Sequence, residues 1–382
     1  MKSNYNQLGQ YIEMVSRTNS DLKYGIEDVR GCSNTKQMMQ TRANLIGRTY
    51  EKFIVLRPQE FVFNRRTTRN GEKIGMAYNN TDREYIFTND YVAFRVKQEY
   101  LDKLLPDYLY LFFCRDEFDR YARYKSTGSA TEFFNWEDMC AVPFEIPPMD
   151  FQQLVVNAYK VLNKRIETKQ KINDNLATQA LTLFSDFVSH LSKKLEQRKL
   201  GDVIASANTG GDAIQKVPIV DYDTGIKCAR VGDITNAREY ASWAFCNASK
   251  SVYDNYKLQA GDILVTRTAT LGITQYIAKD ISAVYNNGLI RLKVNDTNAL
   301  PLYIYWAMKT SDFLNYINQM NSATSVRPNM KIDYLLNYQL SIPSIEEQTQ
   351  FTNTVEPLMN AISLNNDEIL KLSEFQAIIL TT

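Results

Sequence analysis

The sequence predicts an α+β protein: two similar α/β units separated by two long helices packed as a coiled coil, related by a pseudo-twofold internal repeat. Three observations carry this prediction. Six short segments recur in the same order in the two halves of the chain. Two proline-led stretches, one central and one carboxy-terminal, place apolar residues at steps of three and four, the spacing that lines one face of an α-helix. Those stretches also carry opposite charge: nine basic and five acidic residues over 150–199, against one basic and six acidic over 344–382.

The repeat sets the boundaries. Leu8-Gly9-Gln10-Tyr11-Ile12 returns as Leu200-Gly201-Asp202-Val203-Ile204, and Gly25-Ile26 with Arg30 returns as Gly225-Ile226 with Arg230. Glu60-Phe61-Val62-Phe63-Asn64-Arg65 matches Asp262-Ile263-Leu264-Val265-Thr266-Arg267. Phe87-Thr88-Asn89 matches Tyr285-Asn286-Asn287, Pro106-Asp107-Tyr108 matches Pro301-Leu302-Tyr303, and Ile146-Pro147-Pro148 matches Ile342-Pro343-Ser344. Four segments follow: a first unit over 1–147, a central helix over 148–199, a second unit over 200–343 and a carboxy-terminal helix over 344–382.

Within the first unit, Phe53–Leu56, Phe61–Phe63 and Tyr91–Phe94 are rich in β-branched and aromatic residues and read as strands. Asp262–Val265 and Leu289–Leu292 read the same way in the second. Pro106–Lys125 and Pro301–Gln319 read as helices with proline in the first turn. The central helix carries its stripe from Phe151 through Leu154, Val155, Val161, Ile166, Ile172, Ala180, Phe184 and Phe187, with neither proline nor glycine between Pro148 and Gly201. In the last helix, Glu346 and Glu347 suit the positive end of the helix dipole, Phe351, Val355, Leu358, Ile369 and Leu372 form the stripe, and Pro357 is expected to kink it or to leave a local gap in its hydrogen bonds. Opposite charge and matching stripes make the two helices partners, in either direction.

Composition excludes more than it names. No apolar run is long enough for a signal peptide or a membrane span. Five scattered cysteines without a CxxC pair suit a reducing, cytoplasmic setting and not a structural zinc site. His190 is the single histidine, on a helix. There is no glycine-rich nucleotide loop and no Asx-Pro-Pro-aromatic turn of the kind that holds a DNA amine for methylation. Glu167-Thr168-Lys169 has the Glu-x-Lys spacing of metal-dependent nucleases but lies on a helix without their strand context. No catalytic or metal-binding constellation is expected.

Two pairs of loops carry the candidate binding residues. Arg65, Arg66, Thr67, Thr68, Arg69 and Asn70 follow a strand in the first unit, and Arg267, Thr268 and Thr270 follow its counterpart in the second. Arg grips phosphate or reads guanine through two hydrogen bonds, Asn reads adenine, and Thr serves either. The second pair sets Ser126, Thr127, Ser129 and Thr131 against Ser322, Ser325, Arg327 and Asn329, where small side chains let backbone approach a phosphate. Lys227 and Arg230, in the repeated Gly-Ile segment, complete the set.

The pattern resembles the DNA specificity subunit of type I restriction–modification systems over the whole chain. Leu200-Gly201-Asp202-Val203-Ile204, Gly261-Asp262-Ile263-Leu264-Val265-Thr266-Arg267, and Ile342-Pro343-Ser344 with Glu347-Gln348 carry the resemblance. The first unit departs from it, with Pro58-Gln59-Glu60 in place of Gly-Asp and Gln10 in place of the Asp after Leu-Gly. The resemblance implies two target-recognition domains, each reading one half of a split site on double-stranded DNA, and helices that set the spacing. It implies that this chain is no enzyme and holds no cofactor. Catalysis would lie in two methyltransferase subunits using S-adenosylmethionine and in restriction/translocase subunits using ATP and Mg. Half-sites one helical turn apart need roughly 34 Å between readers. A net charge of +1 is low for a chain gripping phosphates alone, so basic surface is expected from those partners. The competing readings are a two-domain coiled-coil scaffold without DNA binding and an enzyme with unrecognised motifs.

Overall fold

The computed structural model describes residues 6–41, 45, 47–67, 73–128, 132–191, 197–323 and 329–381, the side chains of 320–323 excepted. The chain divides into two compact units, one formed by 1–166 with 372–382 and the other by 167–371.

In the first unit, aromatic and β-branched residues build an antiparallel sheet whose strands run Ile12–Val15, Tyr91–Val96, Phe61–Asn64, Met76–Tyr78 in spatial order. Pleating sends Phe61, Phe63 and Phe94 to one face, where they meet Leu109, Phe113 and Phe134 of the helical layer. Val62, Ala77 and Ala93 point the other way, onto Leu56 and Phe87 of the ribbon formed by Ile54–Leu56 and Tyr85–Phe87. Both faces are covered, so Phe61-Val62-Phe63 is buried without interruption and shows no alternation in sequence. The expected helix over Pro106–Lys125 is two helices, Pro106–Phe113 and Asp116–Lys125, separated where Arg115 takes an extended conformation.

The second unit repeats this plan. Strands Ile204–Thr209, Leu289–Val294, Ile263–Thr266 and Thr274–Tyr276 form its antiparallel sheet. Helices Pro301–Ala307, Ser311–Ala323 and Ile332–Leu336 cover the face that carries Ile263, Val265, Ile290 and Leu292. Behind the other face lies a mixed sheet of Ile219–Val220, Phe245–Cys246, Lys227–Ala229 and Ala283–Tyr285, the last two running parallel. The parallel bridge between Val29 and Ile86 is its counterpart in the first unit.

The duplication reaches individual hydrogen bonds. Gln348 is fully buried at the start of the last helix; its carbonyl accepts from Leu300 N at 2.7 Å, and its amide donates to the Pro343 carbonyl at 2.9 Å. Gln152 does the same in the first unit, accepting from Leu105 N at 2.9 Å and donating to the carbonyls of Pro147 and Lys103, both at 2.7 Å. The departure at Pro58-Gln59-Glu60 also keeps its geometry. Gln59 takes the left-handed conformation (φ 63°) that Gly261 takes at 85°, and the Glu60 carboxylate accepts from Arg57 N as Asp262 accepts from Gln259 N.

The central helix spans Met149–His190, ending short of the expected 199 because Gln197–Lys199 is a strand paired with Gln339–Ser341. The last helix spans Ile345–Thr381 and continues through Pro357. Within the second unit the two helices are antiparallel partners: Lys169 pairs with Glu368 at 2.7 Å, Asn173 bonds Asn366 at 2.6 Å, and the Phe184 ring lies 5.2 Å from that of Phe351. Rising numbers on one helix meet falling numbers on the other. In the first unit, Ile379 and Leu380 pack on the core that holds Val155 and Val156. The stripe is wider than its cover, and Leu154 and Val161 remain 67% and 66% exposed. Among the described residues no helix is long and apolar enough to cross a membrane.

Candidate functional site

In each unit the same backbone joint brings the two candidate loops together. After the strand Phe61–Asn64 the chain emerges at Arg65, whose carbonyl accepts from Phe134 N at 2.8 Å. After Ile263–Thr266 it emerges at Arg267, whose carbonyl accepts from Met330 N, also at 2.8 Å. One residue on, Arg66 bridges Phe133 and Thr268 bridges Asn329. Thr127 is tied into the first of these joints, with Thr127 N donating to Phe133 O at 3.1 Å and Phe133 N returning a bond of 2.9 Å.

The arginines differ in their engagement. Arg65 is exposed, and Arg66 is exposed with a loose ion pair to Asp90 at 3.7 Å, a contact worth little in water. Arg267 is half-buried. Its Nε donates to the Met330 carbonyl at 3.1 Å and its Nη1 to the Asn287 carbonyl at 3.2 Å, so the guanidinium clamps two neighbouring loops and has further N–H groups without a bond among the described residues.

The turn at Asn286-Asn287-Gly288 is the part of this site that sequence reasoning missed. Gly288 O accepts from Arg267 N at 3.0 Å, Asn286 N donates to Ala229 O at 3.0 Å, and Asn287 N donates to Gly211 O at 2.9 Å. Gly210 runs so close beneath it that an added Cβ would lie 2.2 Å from the Tyr285 carbonyl oxygen and 2.3 Å from that of Asn286. The Asn-Gly pair and the Gly210-Gly211 doublet were the available signals. Gly210→Ala is expected to force the 210–217 loop off this turn. Hydrogen exchange should show loss of protection at Asn287 and Gly211, with amides of Pro301–Ala307 unchanged.

Several other candidates make contacts within the fold. The Lys227 amine bonds the Ala241 carbonyl and lies over the Tyr240 and Phe245 rings at 5.2 and 5.0 Å, and desolvation there lowers its pKa. Arg230 pairs with buried Asp233 at 3.0 Å, which Arg238 also reaches at 3.3 Å. Thr67 is buried and donates to the Glu132 carbonyl at 3.2 Å, and the Ser126 hydroxyl donates to Ala122 O at 2.7 Å. Thr270 and Asn329 are exposed, and Thr268 is half-buried. Thr68, Arg69, Asn70, Ser129, Thr131, Ser325, Arg327 and the side chain of Ser322 lie outside the described residues.

The site therefore offers arginine N–H groups, threonine hydroxyls and asparagine amides at the rim of a sheet. Comparison with known proteins bears on the chain as a whole. The family model described as Type I restriction modification DNA specificity domain matches residues 33–178 and again 192–374. Among solved structures, the chain is similar to a type I restriction–modification S subunit from M. genitalium, at 14% identity and a TM-score of 0.52, over 100% of this chain and 96% of that one. That likeness is one of fold. It is also similar to the HsdS subunit from Thermoanaerobacter tengcongensis, at 16% identity and a TM-score of 0.35, over 99% and 95% of the two chains. Comparison with curated protein sequences gives no match.

Proposed function

Since this chain belongs to the type I restriction–modification DNA specificity family, with two family segments in tandem, we propose that it is the sequence-reading subunit of such a complex. Each unit reads one half of a bipartite site on double-stranded DNA. The helix pair sets the spacing and docks two methyltransferase subunits that bring S-adenosylmethionine; restriction/translocase subunits bring ATP and Mg. This chain contributes recognition and no chemistry. The observation that supports the reading best is the repeated joint, Arg65 O with Phe134 N and Arg267 O with Met330 N, which sets the same two loops side by side in each unit. Rim groups of this kind position a protein on phosphates and leave amides and hydroxyls to contact base edges.

The test is to exchange residues 200–343 for the matching unit of another family member. The cut is favourable, because Gln197–Lys199 and Gln339–Ser341 pair and bring the ends of that segment together. Co-expressed with its methyltransferase, the hybrid should change one half of the methylated sequence and leave the other. A change in both halves, or in neither, would refute the proposal; the second outcome is what a scaffold without DNA contact predicts.

A further inference from the structure

We propose that Asn287 is a base-reading residue of the second unit, with Asn89 its counterpart in the first. This deepens the DNA-recognition reading and rests on it. Asn287 stands at the tip of the turn joining Ala283–Tyr285 to Leu289–Val294, and its side chain is exposed. Its backbone is held on both sides, N–H to the Gly211 carbonyl at 2.9 Å and carbonyl to Arg267 Nη1 at 3.2 Å. The neighbouring Asn286 spends its side chain on the turn, accepting from Gly288 N at 3.1 Å. The Asn287 carboxamide has no such bond among the described residues. A carboxamide on a pinned backbone loses little further freedom when it docks, which favours precise recognition over a solvated role.

The chemistry of the ligand follows from the group. A neutral amide offers a donor and an acceptor side by side, the pattern that matches adenine N7 and the 6-amino group in the major groove. Phosphate is better served by the arginines beside it. The first unit places Asn89 at the matching turn, between Tyr85–Phe87 and Tyr91–Val96, where Tyr91 N donates to the Thr88 carbonyl at 3.2 Å. Asn89 is exposed and carries no side-chain bond among the described residues.

The test uses the full chain assembled with its methyltransferase subunits. Asn287→Ala should leave hydrogen-exchange protection intact and relax the methylated sequence at one position of the half-site that segment 200–343 controls. Discrimination there should fall by about 5- to 150-fold, the equivalent of about 1–3 kcal/mol for a lost bidentate contact. Asn89→Ala should relax one position in the other half. An unchanged sequence, relaxation in the same half for both variants, or uniform weakening on every oligonucleotide with a shallower salt dependence would each overturn the assignment, the last by making Asn287 a phosphate contact. If the exchange of 200–343 moves one half-site while Asn287→Ala moves nothing, this inference fails and the recognition reading stands.

Discussion

Lys36→Met is expected to destabilise the first unit by about 3–5 kcal/mol, the cost of leaving a buried charge without its partner. Lys36 and Asp119 are 4% and 5% exposed and form an ion pair. The amine also donates to the Ile74 carbonyl at 2.9 Å, and Asp119 accepts from Ile74 N at 3.0 Å, so one backbone residue is held by both charges. Lys36 reaches this position from a left-handed backbone conformation, φ 62°, in the turn before Met38–Gln40. Burial lowers the lysine pKa and the Asp119 charge opposes that shift. Without the amine, Asp119 keeps a negative charge among Phe118, Ala122 and their apolar neighbours, or takes up a proton. Adding Asp119→Asn should recover a large part of the loss, because the neutral amide still has an acceptor for Ile74 N. Hydrogen exchange resolved by peptide is the measurement, since it reads each unit separately. Protection should fall at Phe61–Asn64 and Tyr91–Val96 and hold at Ile263–Thr266. Equal destabilisation by the single and double substitutions would show that the pair's charge is irrelevant.

The paired glutamines should give the next largest effect, graded by the bonds each makes. Gln348→Leu leaves the Leu300 N–H and the Pro343 carbonyl without their partner in a site that excludes water. At about 1–3 kcal/mol for each buried group left unpaired, the loss should be about 2–6 kcal/mol. Gln152→Leu orphans three groups, Leu105 N, Lys103 O and Pro147 O, and should cost more. Each substitution should register in its own unit, at Pro301–Ala307 for the first and at Pro106–Phe113 for the second. Leucine conserves volume, so a loss confined below about 1 kcal/mol would mean that these glutamines fill space and do not bond.

Much of the fold was legible because it depends on local pattern. The strands at 61–64, 91–96, 263–266 and 289–294 fell where β-branched and aromatic residues cluster. Both long helices followed their apolar period, and the order of repeated segments matched the order of repeated elements. The two candidate loops were legible as a pair because their sequence positions repeat, and the structure joins them by one backbone hydrogen bond per unit. Individual roles were not legible. Lys227 and Arg230 had the charge expected of phosphate contacts, yet one is held by Ala241 and aromatic rings and the other by Asp233. A positive side chain reads the same in sequence whether it meets solvent or a buried acid.

By itself, then, the sequence determined that the chain is a duplication, that each copy is α+β with a proline-led helix, and that the two long helices carry complementary stripes and charges. These are properties of short windows and of their recurrence. Only the tertiary structure decided that the helices run antiparallel, through Lys169–Glu368 and Phe184–Phe351, because a stripe and a net charge are the same read in either direction. It also decided that Lys36 would find Asp119, 83 residues away, and that Arg267 would clamp the Asn287 turn. Such pairings arise between segments that share no local pattern, where burial removes water and leaves each polar group to bond whatever the fold has brought beside it.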